Sequence, residues 1–487
     1  MHYRTIFALF LILLLSYHSQ SAFALNIKQE EKIAPSATSQ VSAKTRLIGE
    51  DEIKATTFVD LDFKAFPQLP EVQISSPSVI NVSKNGNDER GDGSYQRPFA
   101  SISHALRTAK AGQTVVIREG VYQEVFEEGD YRGLVITQNN LTMMGMPDET
   151  VEIRPKEGVT YGVVIQADKV QIQGLQLNGF STVGILAEGD LRQNLVLNDV
   201  VISGSSEGFA TWDGTIKNLL LFNVRINASG IGIHCGNGKA FNWRLENTRV
   251  AIAGKSEGSG ADAFAIEDGD NILIVNSSFS GASADGIDTK ASRVVVYGCE
   301  VHNVQRNGIK LWQGGDIINS LVHHTGADAS IVVEEGSKTR LLNSVIAYHN
   351  YDLGESYSMT FGYDSQFPMQ VEIINSIIFN NSGGMYFNPG SKVQIRNTLF
   401  HGIQNNLILE QNEKAISLAD GPNALKNYGD NILFQDPGLD DFFYPSDNSS
   451  IIDRGLRLDQ AFPSKDKNGN PRIHGPNPDL GPFEKQD

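Results

Sequence analysis

Cysteine is nearly absent from this chain: Cys235 and Cys299 are the two in 487 residues. Two are too few for a disulfide scaffold or a multi-cysteine zinc module. Spacing leaves their pairing open, and two buried thiols are the expectation. Long apolar runs are also missing, because no stretch beyond the first residues approaches the roughly 20 apolar residues of a spanning helix. Positive charge is in deficit: 40 Lys and Arg face 57 Asp and Glu, a net charge of −17. A general nucleic-acid binder needs a basic face to displace counterions, so the balance argues against that class. There is no glycine-rich phosphate loop, no Gly-x-Ser-x-Gly and no His-Glu-x-x-His. Glycine, by contrast, is plentiful at 47 residues, and a charged fraction of 20% argues against wholesale disorder.

The opening of the chain reads as an export signal spanning residues 1–24. Arg4 supplies the positive start, Ile6 to Leu15 the apolar stretch, and Ala22-Phe23-Ala24 a small-residue cleavage site. The apolar run is too short for a membrane anchor. Removing these residues takes away Arg4 alone and leaves −18. The expectation is a secreted or periplasmic protein, cleaved near Ala24. Residues 25–76 are polar and weakly periodic, and read as a linker or extension. Order is expected from Val79. Ser101 is a plausible N-cap for a short helix carrying Ile102, Ala105, Leu106 and Ala109.

The dominant signal is a repeat. Asparagine follows a few β-forming residues at Asn198, Asn223, Asn247, Asn276, Asn319, Asn343, Asn375 and Asn397, with Gly298 dividing the widest gap. A second column, Gly184, Gly208, Gly232, Ala263, Gly286 and Gly308, runs in step with it. Two columns recurring together every 21–25 residues, outside the insertions, indicate a solenoid. Leucine-rich repeats lack their leucine scaffold here, and helical repeats lack their 3.6-residue period. Three short strands and three turns per coil account for the length, which is a parallel β-helix with coils about 4.8 Å apart. The asparagines are expected to form an internal ladder, each amide bonding the next at a left-handed turn. Excess length at Gly254–Gly260 and Tyr351–Phe367 marks loops that wall a cleft.

The segment from Val79 to Glu124, with Asn85-Gly86-Asn87-Asp88, Arg97-Pro98-Phe99 and Ala111-Gly112-Gln113-Thr114-Val115, resembles the opening of secreted proteins of the pectate-lyase-like superfamily. The end resembles their C-terminal segment, with Ile452-Asp453-Arg454-Gly455, Asp466-Lys467-Asn468-Gly469-Asn470-Pro471-Arg472 and Asp479-Leu480-Gly481. The resemblance implies an all-β, right-handed parallel β-helix solenoid with a short N-terminal capping helix. The β-helix domain is expected over 77–487, including a C-terminal cap segment from about 435.

Three consecutive coils stand apart: Asp262-Ala-Phe264-Ala-Ile-Glu267, Asp285-Gly-Ile287-Asp288-Thr-Lys290 and Asn307-Gly-Ile309-Lys310-Leu-Trp312. Aligned on the glycine column, Asp262, Asp285, Asn307 and Asp328 stack, and Phe264, Ile287 and Ile309 point inward. Alternation then sends Asp288 and Lys310 outward in one column, with Glu267, Lys290 and Trp312 in another. Stacked carboxylates repel unless a cation bridges them, and hard oxygen ligands suit Ca²⁺, so Asp262, Asp285 and Asp288 are candidate metal ligands. Structural turn residues are the alternative. Trp312 offers a flat stacking surface for a sugar, or packs under a loop. His302 and His323 should stack, near His324 and His349; His323 is a further candidate for substrate binding, and exposed turn histidines are the alternative.

The cluster resembles the calcium-dependent polysaccharide lyases of this fold. Asp285-Gly-Ile-Asp288 matches the Asp-Gly-x-Asp part of one lyase family's calcium motif, with Ala284 where a second Asp is expected; Lys290 and Lys310 resemble the basic pair of another, whose partner is usually arginine. The resemblance implies Lys310 and Lys290 as catalytic residues in β-elimination of a uronate polymer. The rival readings are a non-catalytic carbohydrate-binding or envelope-surface protein and, with less support in the motifs, a glycoside hydrolase.

Overall fold

The computed structural model describes residues 60–69, 78–253, 260–335, 338–350, 357–363, 365, 367–458 and 463–486. The expected export signal, residues 254–259 of the first cleft-walling insertion and residues 351–356, 364 and 366 of the second lie outside these residues. No helix among them is long and apolar enough to cross a membrane.

Each coil contributes one strand to each of three long sheets. Sheet I has fourteen strands, from Val79–Val82 to Gly429–Asp430; sheet II has thirteen, from Arg132–Ile136 to Lys414–Ser417; sheet III has thirteen, from Gly120–Glu124 to Leu433–Phe434. One coil runs Val183–Ala187 in sheet II, Leu191–Asn198 in sheet I and Val201–Ser205 in sheet III; the next begins at Glu207, which pairs with Val183. Stacking is parallel until Leu407–Gln411 and Lys414–Ser417 close the far end as an antiparallel hairpin. At the near end the helix α1 (Ile102–Thr108) covers the core, its Ser101 side chain accepting from the His104 N–H. The Glu124 carboxylate accepts from the Ile102 and Ser103 N–H groups at 2.9 and 3.1 Å, a negative charge placed at the helix N-terminus.

Alternation along each strand fills the interior. Phe264, Ile287, Ile309 and Ile331 form one buried register column of sheet II. The glycine column exists for steric reasons: a Cβ on Gly286 would lie 2.3 Å from Cγ1 of Val301 in sheet III. Both cysteines are free and buried, as expected.

The asparagine column is a row of left-handed turns between sheets I and III, with φ of 46–54° from Asn223 to Asn397. Its first member is displaced. Asn198 ends a strand opposite Phe222, and Asp199 takes the turn with φ 53°. The expected internal amide ladder is not what most of these residues make. Asn319, Asn375 and Asn397 donate outward, to the carbonyls of Lys465, Leu456 and Arg454 in the C-terminal segment. The inward ladder belongs to the next position, where each backbone N–H donates to the hydroxyl one coil on: Cys299 to Ser320 and Ser320 to Ser344, both at 3.1 Å. Cys299 occupies a serine's place in that row. A true amide ladder runs at the left-handed kinks of sheet I, where Asn271 donates to Asn242, Asn242 to Asn218 and Asn218 to Asn194 at 2.8–3.0 Å.

Both described terminal segments lie on outer faces. Leu61, Phe63 and Phe66 pack on sheet I against Leu273, Val275, Val295 and Tyr297, and the Asp62 backbone brackets the Asn271 amide that ends the ladder. Phe443, Ile451, Leu480 and Phe483 pack on sheet III against Leu321, Val345, Ile377 and Leu399. Burying an aromatic side chain this way contributes about 1.5–3 kcal/mol. Neither segment joins the apolar cluster on the outer face of sheet II.

Candidate functional site on the outer face of sheet II

The strands Ile287–Thr289 and Ile309–Leu311 place Asp288 and Lys310 side by side in register. Ile287, Thr289, Ile309 and Leu311 point into the core and are fully buried, so the intervening residues project outward. Lys290 and Trp312 follow these strands in the neighbouring outward column, fixed by backbone bonds from Lys290 N to Ile266 O and from Trp312 N to Thr289 O.

The side chains converge around the indole. Lys310 Nζ lies 4.7 Å and Lys290 Nζ 5.7 Å from the Trp312 ring centroid, within the range of a cation–π contact. Trp312 Nε1 donates to Asp288 Oδ1 at 3.2 Å, which fixes the ring. Lys310 Nζ lies 3.8 Å from Asp288 Oδ2, and Lys290 pairs with Glu267 of the preceding coil. Four charged groups therefore compensate in pairs, and the Asp288–Lys310 pair is about four-fifths shielded from solvent. Burial pushes the Asp288 carboxyl up to about 6; Lys310 opposes the shift and Asp285 adds to it.

Beneath this face, Asp262 and Asp285 do the work of turn residues. Asp262 Oδ1 accepts from Asp285 N at 2.8 Å, Asp285 Oδ1 from Asn307 N at 3.0 Å, and Asn307 Oδ1 from Ala329 N at 3.1 Å. Each polar side chain thus satisfies a backbone N–H of the next coil. The column ends at Ala329 rather than the expected Asp328, which sits one residue earlier in a left-handed turn and pairs with Arg306. Burial drives the Asp262 carboxyl up to about 7, against the Asp285 N–H that lowers it. Asp288 faces the ammonium and the indole, so the three aspartates do not form one cradle. Among the described residues no three His, Cys, Asp or Glu side chains converge to hold a metal ion. The donor set as folded does not fit Ca²⁺.

His323 does not join the site. It stands with His302 on the outer face of sheet III, where their rings stack at 5.2 Å as the spacing predicts. Both are strand residues rather than exposed turn residues, and His323 is covered by Phe443 of the C-terminal segment. Its hydrogen bond to Glu300, 3.1 Å long, holds that carboxyl down to about 2. His349 is fully buried, which lowers it to about 4.

A cavity of about 340 Å³ opens in the C-terminal segment, lined by Asp453, His474, Asp479, Glu484 and Lys485 among others. Its carboxylates serve the local backbone: Asp479 accepts from Asp453 N and Lys485 N, and Glu484 from His474 N and Asp479 N.

Three stacked parallel sheets agree with the comparisons. The family described as "Right handed beta helix region" matches residues 232–427. The chain folds as a right-handed parallel β-helix. Residues 84–145 of this β-helix match a family described as "Protein of unknown function (DUF1565)". A curated relative, the uncharacterized protein YwoF of Bacillus subtilis (strain 168), is 42% identical over 52 residues, which is 11% of either chain. The match thus spans about a tenth of that relative. Among solved structures, pectate lyase Pel9A is 14% identical with a TM-score of 0.50, the alignment covering 84% of this chain and 96% of that one. XylC in complex with xylose is 11% identical with a TM-score of 0.49, covering 83% and 98%. At these identities the likeness is one of fold.

The sequence missed the pairing that matters most at the site, the indole N–H on Asp288. The signal was present: Trp312 and Asp288 lie 24 residues apart, one coil, in neighbouring outward columns.

Proposed function

We propose that this chain is an exported polysaccharide-acting β-helix protein whose reaction is β-elimination of a uronate polymer on the outer face of sheet II. The observation that carries the reading is the largely shielded Asp288–Lys310 pair, 3.8 Å apart and set against an indole. The fold shared with pectate lyase Pel9A supports the substrate class by analogy.

In this reading Trp312 stacks on the sugar and Lys290 meets the uronate carboxylate, displacing Glu267. The reactive form of the pair is its neutral tautomer, an amine on Lys310 and a carboxylic acid on Asp288. Burial, which raises the Asp288 carboxyl to about 6, brings that tautomer closer in energy. Lys310 Nζ takes the C5 proton, the C4–O4 bond breaks as the C4=C5 double bond forms, and Asp288 gives its proton to O4. The pair is left as the ion pair, and one proton transfer resets it. Both groups project from one sheet face, so the elimination is syn. No step is assigned to calcium, because Lys290 supplies the positive charge.

The test is a screen of alginate, pectate and glycosaminoglycans for the ultraviolet absorbance of an unsaturated uronate. Lys310→Ala should lower turnover by about 10²–10⁴-fold while the coils stay folded, and a chelator should leave the wild type unchanged. Undiminished turnover in the variant would remove Lys310 from the mechanism. One observation favours a second reading, a non-catalytic carbohydrate-binding protein: both lysines are already neutralised by carboxylates, in a chain of net charge −17. A wild type retained on a glycan column yet silent on every uronate would establish that reading.

A further inference from the structure

The chain has three tryptophans. Trp243 is fully buried, and its Nε1 donates to Ile216 O in the core. The other two, Trp212 and Trp312, are both partly exposed, and both follow a strand of sheet II in the same outward column. The backbone bonds from Gly236 N to Thr211 O, Glu267 N to Cys235 O, Lys290 N to Ile266 O and Trp312 N to Thr289 O trace that column coil by coil. Four inter-coil steps separate the indoles, or roughly 19 Å at about 4.8 Å each.

Each indole is anchored through its N–H to a carboxylate on the same face. Trp212 Nε1 donates to Glu207 Oε2 at 2.9 Å, as Trp312 does to Asp288. The Tyr161 ring meets Trp212 edge-on with centroids 5.7 Å apart, and Tyr131 continues the row to Tyr161 at 4.8 Å. His234 shares the same Glu207 oxygen at 3.1 Å. An aromatic ring that merely sealed the underlying Val164, Leu186 and Ala210 would not need a fixed N–H partner. Between Trp212 and Lys290 the two outward columns hold His234, Gly236, Ala265 and Glu267, with no lysine or arginine.

We propose that Trp212, flanked by Tyr161, is a second sugar-stacking platform, and that a polysaccharide lies along the solenoid axis across both indoles. This rests on the reading that the outer face of sheet II binds polysaccharide. Because Glu207 and Glu267 border this stretch and no lysine or arginine does, the sugar units at the Trp212 end are uncharged, whereas the uronate sits by Lys290. The ligand class is therefore a polymer in which neutral or esterified units accompany uronates, long enough to span five coils.

The test uses affinity electrophoresis of the full chain in gels containing esterified pectin, de-esterified pectin, alginate or xylan. Titrations follow, with short and long oligosaccharides of the polymer that retards it. Trp212→Ala should weaken binding of long oligosaccharides roughly tenfold and leave short ones, which occupy Trp312 alone, unchanged. Trp212→Gln, which keeps a donor for Glu207 but no ring, should behave as Trp212→Ala does; Trp212→Phe should restore most of the affinity. Esterified pectin should retard the wild type more than de-esterified pectin does. If Trp312→Ala abolishes binding while Trp212→Gln leaves long and short oligosaccharides alike unaffected, the second platform is overturned and the site at Lys310 stands. Retardation by none of the polymers would overturn both.

Discussion

Asp262 and Asp288 are carboxyls held where water reaches them poorly, and that has a consequence for stability. A group with a raised folded-state pKa binds its proton more tightly in the folded chain than in the unfolded one. Its stabilising contribution is present below the ordinary value near 3.8 and is lost as pH rises, through about 6 for Asp288 and about 7 for Asp262. Asp262→Asn removes the charge but retains an oxygen for the Asp285 N–H that Asp262 now accepts. The variant should melt above the wild type at pH 8, and the gap should shrink at pH 5. Thermal melts at the two pH values check this; a variant less stable than the wild type at pH 8 would mean that Asp262 is stabilised as an anion. Glu300 has the opposite sign. Its lowered value, about 2, gives stability that is present above its ordinary value and lost as pH falls through about 2.

At the scale of the strand and turn, the columns were legible because a solenoid repeats one coil's constraints every turn. The glycine column predicted where sheet II strands begin, and strand alternation put Asp288, Lys310, Lys290 and Trp312 on one face. The asparagine column was located correctly from Asn223 onward, but the direction of its side chains was not legible. A left-handed turn fixes φ, and it leaves the amide free to bond along the column or outward to whatever covers it. What covers it, the backbone of Arg454, Leu456 and Lys465, is distant in sequence. The sheet I ladder at Asn194, Asn218, Asn242 and Asn271 carried a readable signal, the same intervals of 24, 24 and 29 residues five positions upstream of the turn row. Asp328 was misplaced because the stretch from Asn307 is read with one residue fewer than its coil contains. The glycine column also offers an experiment. Gly286→Ala should cost about 1–3 kcal/mol by overpacking against Val301, whose Cγ1 the new methyl would meet at 2.3 Å. Denaturant unfolding should show a lower midpoint with an unchanged slope; a neutral substitution would mean that sheets II and III separate more easily than the packing implies.

Across the whole molecule, the three outer faces are treated differently. Sheet I receives Leu61, Phe63 and Phe66, and sheet III receives Phe443, Ile451, Leu480 and Phe483. Neither covering was readable, since three apolar residues in a polar stretch carry no period and the C-terminal segment has few regular elements. Sheet II receives neither described segment, and its outward residues include the Asp288–Lys310 pair and both accessible indoles. Of the aspartates expected as metal ligands, Asp262 and Asp285 are spent on the backbone and Asp288 on the Trp312 indole and Lys310, because spacing gives the column of a residue but not the partner of its oxygens. Which of the three faces a polysaccharide occupies therefore decides the function. The direct measurement is a crystal structure of Lys310→Ala soaked with a long uronate-containing oligosaccharide. We expect sugar density along the outer face of sheet II, one ring stacked on Trp312 and a uronate carboxylate at Lys290. Density confined to the C-terminal cavity at Asp453 and Glu484, or to the His302–His323 face of sheet III, would contradict the account.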